Sequence, residues 1–188
     1  PVTRSNDGRA DPWGGFWIGT MGRRAEPRAG AIYRYHRGTV VRLFERLTIP
    51  NAICFAPDRS AAYYADTADG RIRRQPLDRE GWPEGAAETL VDLRGTGANP
   101  DGAVTDAEGC LWNAQWGASR VARYDAGGTL LSTWEVPTPQ ASCPAFGGAD
   151  LTTLLVTTAS EGGLPAPAGA TFAIETGIAG LPEPRVLP

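Results

Sequence analysis

Four polar or thiol-bearing residues recur at one place in a repeating chain: Asn6, Asn51, Asp101 and Cys143. Asn51 interrupts Ile49-Pro-Asn-Ala-Ile-Cys-Phe55, a run otherwise apolar enough for a buried strand, and Asp101 holds the same place in Asn99-Pro-Asp-Gly-Ala-Val-Thr-Asp106. Eight residues on, each copy reaches a turn, at Gly14, Arg59, Gly109 and Leu151. A fold that stacks such copies gathers these side chains into one polar cluster. Presented from rigid strands, they could hold a metal or a substrate with little reorganisation.

The elements that must position them also repeat. After each strand bearing the ring position comes a turn and an apolar or aromatic strand: Gly15–Thr20, Ala62–Thr67, Cys110–Gln115 and Thr153–Thr158. With Phe16, Tyr63, Leu111 and Leu154 as register marks, the spacings are 47, 48 and 43 residues. Third strands follow at 30–35, 70–75, 119–124 and 169–174, and fourth strands at 40–45, 87–92 and 130–135. Alternation of apolar and polar residues in them predicts strands with one covered face. A four-stranded unit repeating every 40 to 50 residues indicates an all-β fold, a β-propeller of about four blades, over 1–47, 48–97, 98–140 and 141–188 in a single domain. A β-sandwich does not explain why the order of four elements itself repeats. First strands of propeller blades line the central channel, which places Asn6, Asn51 and Asp101 near the axis.

Composition narrows the function. The net charge of -3, from 18 basic and 21 acidic residues without a basic run, leaves no electrostatic footprint for nucleic acid. All basic residues are arginine. Cys54, Cys110 and Cys143 are odd in number and far apart, which points to reduced thiols, a cytoplasmic location, and neither a disulfide framework nor a cysteine zinc site. No run approaches the roughly 18 apolar residues that span a bilayer, so no membrane partner is expected. The expected unit is a monomer.

The stretches Arg4-Ser-Asn-Asp-Gly-Arg-Ala-Asp-Pro12, Gly19-Thr-Met21, Gly30-Ala-Ile-Tyr33, Ile49-Pro-Asn51, Pro100-Asp-Gly102, Asp106-Ala-Glu-Gly-Cys-Leu-Trp112, Gly147-Gly148 and Gly177-Ile-Ala-Gly-Leu-Pro-Glu-Pro184 resemble the SMP-30/gluconolactonase/regucalcin-like family, in family order. The resemblance implies a six-bladed propeller with a divalent cation, Ca²⁺, Zn²⁺, Mn²⁺ or Mg²⁺, in its channel, and metal-dependent hydrolysis of a sugar lactone to the aldonic acid. It implies Asn51 and Asp101 as metal ligands and Arg4 and Asn6 as substrate contacts. A third ligand in the family, a glutamate in the first blade, has no counterpart here. The chain is therefore read as the C-terminal two thirds of a longer protein, whose open ring would leave sheet faces unpaired and prone to aggregate. In this reading Asp101, beside metal and water, is the general base. The alternatives are a non-enzymatic calcium-binding protein of the regucalcin type and an inactive propeller fragment.

Other residues have plainer readings. Asp7 is expected to stabilise its own turn, Glu26 to be a solvated loop charge, and Trp116 to pack or to stack on a sugar face. Cys143 shares the ring position, but the only histidine, His36, lies in a strand-end segment read as surface, which disfavours a Cys-His nucleophile.

Overall fold

The computed structural model describes residues 2–188. It contains four antiparallel sheets in which neighbours in sequence are neighbours in space. The first comprises β1 (Thr3–Ala10), β2 (Phe16–Gly22), β3 (Gly30–His36) and β4 (Thr39–Leu47); the second β5 (Pro50–Phe55), β6 (Ala61–Asp66), β7 (Arg71–Pro76) and β8 (Glu88–Asp92). The third holds β9 (Asn99–Thr105), β10 (Leu111–Trp116), β11 (Arg120–Tyr124) and β12 (Leu130–Glu135), and the fourth β13 (Ala141–Gly147), β14 (Thr153–Thr158) and β15 (Thr171–Glu175). The only helix among the described residues is a single 3₁₀ turn, Thr67–Asp69. β1 packs on β5, β5 on β9 and β9 on β13, so the first strands stand side by side and the sheets radiate outward as propeller blades.

Period-two alternation builds the cores between blades. In β6, Ala62 and Tyr64 join Trp17, Ile32, Ile53 and Phe55 between the first and second blades. Tyr63 and Ala65, on the opposite face, join Ala52, Cys54, Ile72, Leu111 and Tyr124 between the second and third. A third cluster of Trp112, Val121, Val136, Leu154 and Val156 joins the last two blades. Because β5 is covered on both faces, all six of its residues are buried, which is why it reads as an apolar run rather than an alternating one. The fourth strands are edges: β4 leaves Val40 and Val41 exposed and intersperses arginine and glutamate, which discourages pairing with another chain.

Two sequence expectations shift in detail. Third strands begin one or two residues late at Arg71, Arg120 and Thr171, because Gly70, Ser119 and Gly169 adopt positive φ values of 70°, 54° and 86° in the preceding turns. The turn of the second blade is one residue longer: Ala56 N–H donates to the Ala61 carbonyl, whereas Asp11 N–H reaches Gly15 and Asp106 N–H reaches Cys110. Ala62, rather than Tyr63, is thus the counterpart of Phe16 and Leu111. After β15 the chain runs back across the ring as a strap, with Gly180 bridging Asp106, Glu183 paired with Arg9, and Leu187 N–H donating to the Gly14 carbonyl.

Candidate functional site

Each first strand carries a pairing irregularity near the ring position, between Ser5 and Gly8, Asn51 and Cys54, opposite the Asn113–Gln115 step, and between Ala141 and Cys143. Such bulges bend a strand and re-aim its side chains. Here they lie at one end of the ring, around a cleft of about 550 Å³ lined by Arg4, Asn6, Asn51, Thr67, Asp101 and Trp116 among others. All four sequence-predicted site residues therefore share one cavity.

A hydrogen-bonded row connects them. Arg4 Nη1 donates to Asn6 Oδ1 at 3.1 Å, and Asn6 Nδ2 donates to Asn51 Oδ1 at 3.0 Å and to the Pro50 carbonyl at 3.1 Å. Asn51 Nδ2 then donates to Thr67 Oγ1 at 2.8 Å, whose hydroxyl donates to the Pro100 carbonyl at 2.7 Å. The row ends beside Asp101. The preceding Asp66 holds the 3₁₀ turn in place, accepting from the Thr48, Ile49 and Ala68 amides. Sequence reasoning did not identify Thr67, Asn99 or Glu161 as cleft residues; Thr67 and Glu161 stand on connections and Asn99 opens β9 two residues before Asp101, all outside the ring position, where no repeat marks them.

Asp101 differs electrostatically from an ordinary carboxylate. Burial, and then the neighbouring Asp7 charge, push its pKa up to about 7, against a lowering by the Gly102 amide. Gly102 itself is required by close packing: a Cβ there would stand 2.6 Å from Cys143 Sγ and 2.8 Å from the Ser142 carbonyl. The Pro-Asp-Gly sequence thus lets β9 and β13 meet at the axis while Asp101 faces the cleft.

The remaining candidates resolve as follows. Asp7 is not confined to its own turn: Oδ1 accepts from the Gly8 amide and Oδ2 from the Ile53 amide, both at 2.8 Å, so it ties the first blade to the second. Burial raises its pKa as well. Glu26 accepts from the Arg24 amide at 2.9 Å and does not line the cleft. Burial pushes the Cys143 thiol up to about 12, so it is protonated at neutral pH and unsuited to nucleophilic work. His36 packs edge-on to Trp82, 6.1 Å between centroids, far from this cleft in the fold.

The donors suit a hard divalent cation in kind, an amide oxygen and a carboxylate. In number they fall short: among the described residues no group of three or more His, Cys, Asp or Glu side chains converges, and Asn51 Oδ1 already accepts from Asn6.

Comparison with known proteins fits this geometry. The model of the SMP-30/Gluconolactonase/LRE-like region matches residues 1–160. A 6-deoxy-6-sulfogluconolactonase from Pseudomonas putida is 37% identical over 97% of this chain and 65% of its own length, and the pentonolactonase XacC of Haloferax volcanii is 36% identical over 97% and 66%. The crystal structure of a calcium-binding protein, regucalcin, from Agrobacterium tumefaciens superposes on the whole chain and 66% of that chain with a TM-score of 0.95 at 46% identity. The chain therefore spans just under two thirds of the length of these relatives. On the matched region and the similarity along its whole length, this chain belongs to the SMP-30/gluconolactonase/LRE-like family.

Proposed function

We propose that the cleft around Asp101 hydrolyses sugar lactones to aldonic acids. The observation that carries this reading is the gathering of Arg4, Asn6, Asn51 and Asp101, from three different blades, into one cavity of about 550 Å³, a size suited to a small sugar ring. Lactonase names among relatives that match 97% of the chain support it.

In this reading Arg4 and the Asn6 amide hold ring hydroxyls and fix the lactone for attack. Asp101, as the carboxylate, accepts a proton from the attacking water; a pKa near 7 lets it serve as a base around neutral pH and return the proton to the departing ring oxygen. Asp7, tied down by two backbone amides, keeps a second acidic group behind Asp101 and so sustains its basicity. A divalent cation, Ca²⁺, Zn²⁺, Mn²⁺ or Mg²⁺, belongs to the proposal as a group that Asn51 and Asp101 would help to hold. When bound it would supply Lewis-acid polarisation of the lactone carbonyl.

A second reading, calcium binding without catalysis, draws on the similarity to the Agrobacterium tumefaciens regucalcin. Acid release from glucono-, xylono-, arabino- and galactonolactone, followed with a pH indicator with and without each cation, separates the two. Hydrolysis above the blank supports the lactonase reading. Calcium binding by folded protein with no acid release from any of the four favours the second.

A further inference from the structure

The cavity just described opens at one end of the first strands; a larger one, of about 820 Å³, opens beyond the other end. β1 connects them: Arg4 lines the first, and Asp11, seven residues on, lines the second, a separation of roughly 23 Å at the rise of an extended strand. The second cavity lies between the first two blades and the returning C-terminal strap, and none of its lining residues serves the proposed lactone site.

Its chemistry is cationic. Arg37, Arg59, Arg79 and Arg185 line it, all exposed, against one exposed carboxylate, Glu80. Among the described residues none of these four arginines is ion-paired, whereas eight others are: Arg9, Arg34, Arg42, Arg71, Arg73, Arg74, Arg94 and Arg123. Four arginines from four separate segments, brought to one cavity with so little opposing charge, repel one another unless an anion sits among them.

The wall behind them is rigid. Arg34 is fully buried, bonds Asp11 Oδ2 through Nε at 2.7 Å and the Glu80 carbonyl through Nη1 at 3.1 Å, and stacks over Trp82 at 4.3 Å. Its Nη2 has no partner, and Asp11, Glu80, Trp13 and Trp82, which bond or stack on the guanidinium, all line the cavity. Trp13 is pinned in turn, donating from Nε1 to the Arg79 carbonyl at 2.8 Å and lying against Gly81, where a Cβ would stand 2.5 Å from the ring. Trp13 also carries Arg59 over its ring at 6.0 Å. This is a preorganised aromatic floor with unpaired guanidinium groups around its rim.

We propose that this cavity is a second ligand site, separate from the lactone cleft, that binds a phosphorylated small molecule. Arginine forks match phosphate oxygens two at a time, and a cavity of this volume accommodates an organic phosphate of nucleotide size.

The test is binding of ADP to this chain by calorimetry at low ionic strength, with adenosine as the uncharged control, on the unmodified chain, an Arg59→Ala/Arg79→Ala double variant and an Asp101→Asn variant. The proposal predicts saturable one-to-one binding of ADP, at least tenfold weaker binding of adenosine, at least a tenfold loss in the double variant, and an unchanged affinity in Asp101→Asn. Chemical shifts or a thermal midpoint matching the parent chain establish that the double variant is folded. Absence of ADP binding at millimolar concentration, equal binding of adenosine, an affinity unaltered in the folded double variant, or a loss caused by Asp101→Asn would each overturn it.

Discussion

Asp101 and Asp106 stand five residues apart on and just beyond one strand, and their surroundings are opposite. Asp106 is fully buried and saturated: Oδ1 accepts from the Glu108 and Cys110 amides at 3.0 and 2.9 Å, and Oδ2 from Trp112 Nε1 and Arg123 Nε, both at 2.8 Å. The first blade repeats the device, with Asp11 accepting from the Trp13 and Gly15 amides and from Arg34. Asp101 faces a cleft, feels the charge of a second carboxylate, Asp7, in place of a bonded arginine, and has its pKa pushed up to about 7 by burial and then by that charge. A carboxylate supplied with every hydrogen bond it can accept holds blades together; one left with spare lone pairs in a cavity can do chemistry.

The comparison is broken most severely at Asp106. Asp106→Ala leaves the buried Arg123 with only the exposed Glu108 as a partner and Trp112 Nε1 without an acceptor, and should cost about 3–5 kcal/mol in a urea titration. A loss under about 1 kcal/mol would show that Glu108, which also reaches Arg123, suffices.

Asp101→Asn should act in the opposite sense. Lactone hydrolysis should fall by roughly 10²–10⁴-fold, the range typical of a lost general base. Stability should rise: the raised folded-state pKa means that stability contributed by the protonated form is full below the ordinary value of 3.8 and is lost as pH climbs through about 7. The asparagine variant escapes that loss, so its advantage over the parent should grow between pH 4 and pH 7 and reach about 4 kcal/mol in denaturant titrations above it. In the metal-free parent, the hydrolysis rate should climb with pH through about 7 and then level off.

Smaller effects sharpen the role of the neighbouring amides. Asn51→Ala removes the acceptor of Asn6 and the donor to Thr67, and should raise KM and weaken calcium binding, itself expected to be no tighter than about millimolar for so small a donor set, in titration calorimetry. Arg4→Ala, at the exposed mouth, should raise KM severalfold and leave stability within about 0.5 kcal/mol.

How much of this could be read from the sequence follows from what repeats. The propeller was legible because strand, turn and aromatic strand recur, and the cleft because Asn6, Asn51 and Asp101 fall at matching places in successive first strands, Asn51 within an otherwise apolar run. The saturated pairs were not. Arg34 in Gly30-Ala-Ile-Tyr-Arg-Tyr35 has the alternation of a solvent-facing residue, yet it is fully buried because Asp11 and Trp82, distant in sequence, close over it. Tyr63 misled as a register mark because a turn lengthened by one residue exchanges the two faces of a strand, and both faces of β6 are equally apolar. Thr67, a polar residue on a short helical turn, gave no signal, although its hydroxyl links Asn51 to the strand carrying Asp101.

The contrast between the two aspartates can be tested in one experiment: gluconolactone hydrolysis at pH 8, and the denaturation midpoint, measured on the same preparations of the parent chain, Asp101→Asn and Asp106→Asn. The account predicts that Asp101→Asn abolishes hydrolysis while remaining at least as stable as the parent, and that Asp106→Asn lowers the midpoint while the protein that stays folded still turns over substrate. Retained hydrolysis in folded Asp101→Asn would contradict it and remove Asp101 from the chemistry.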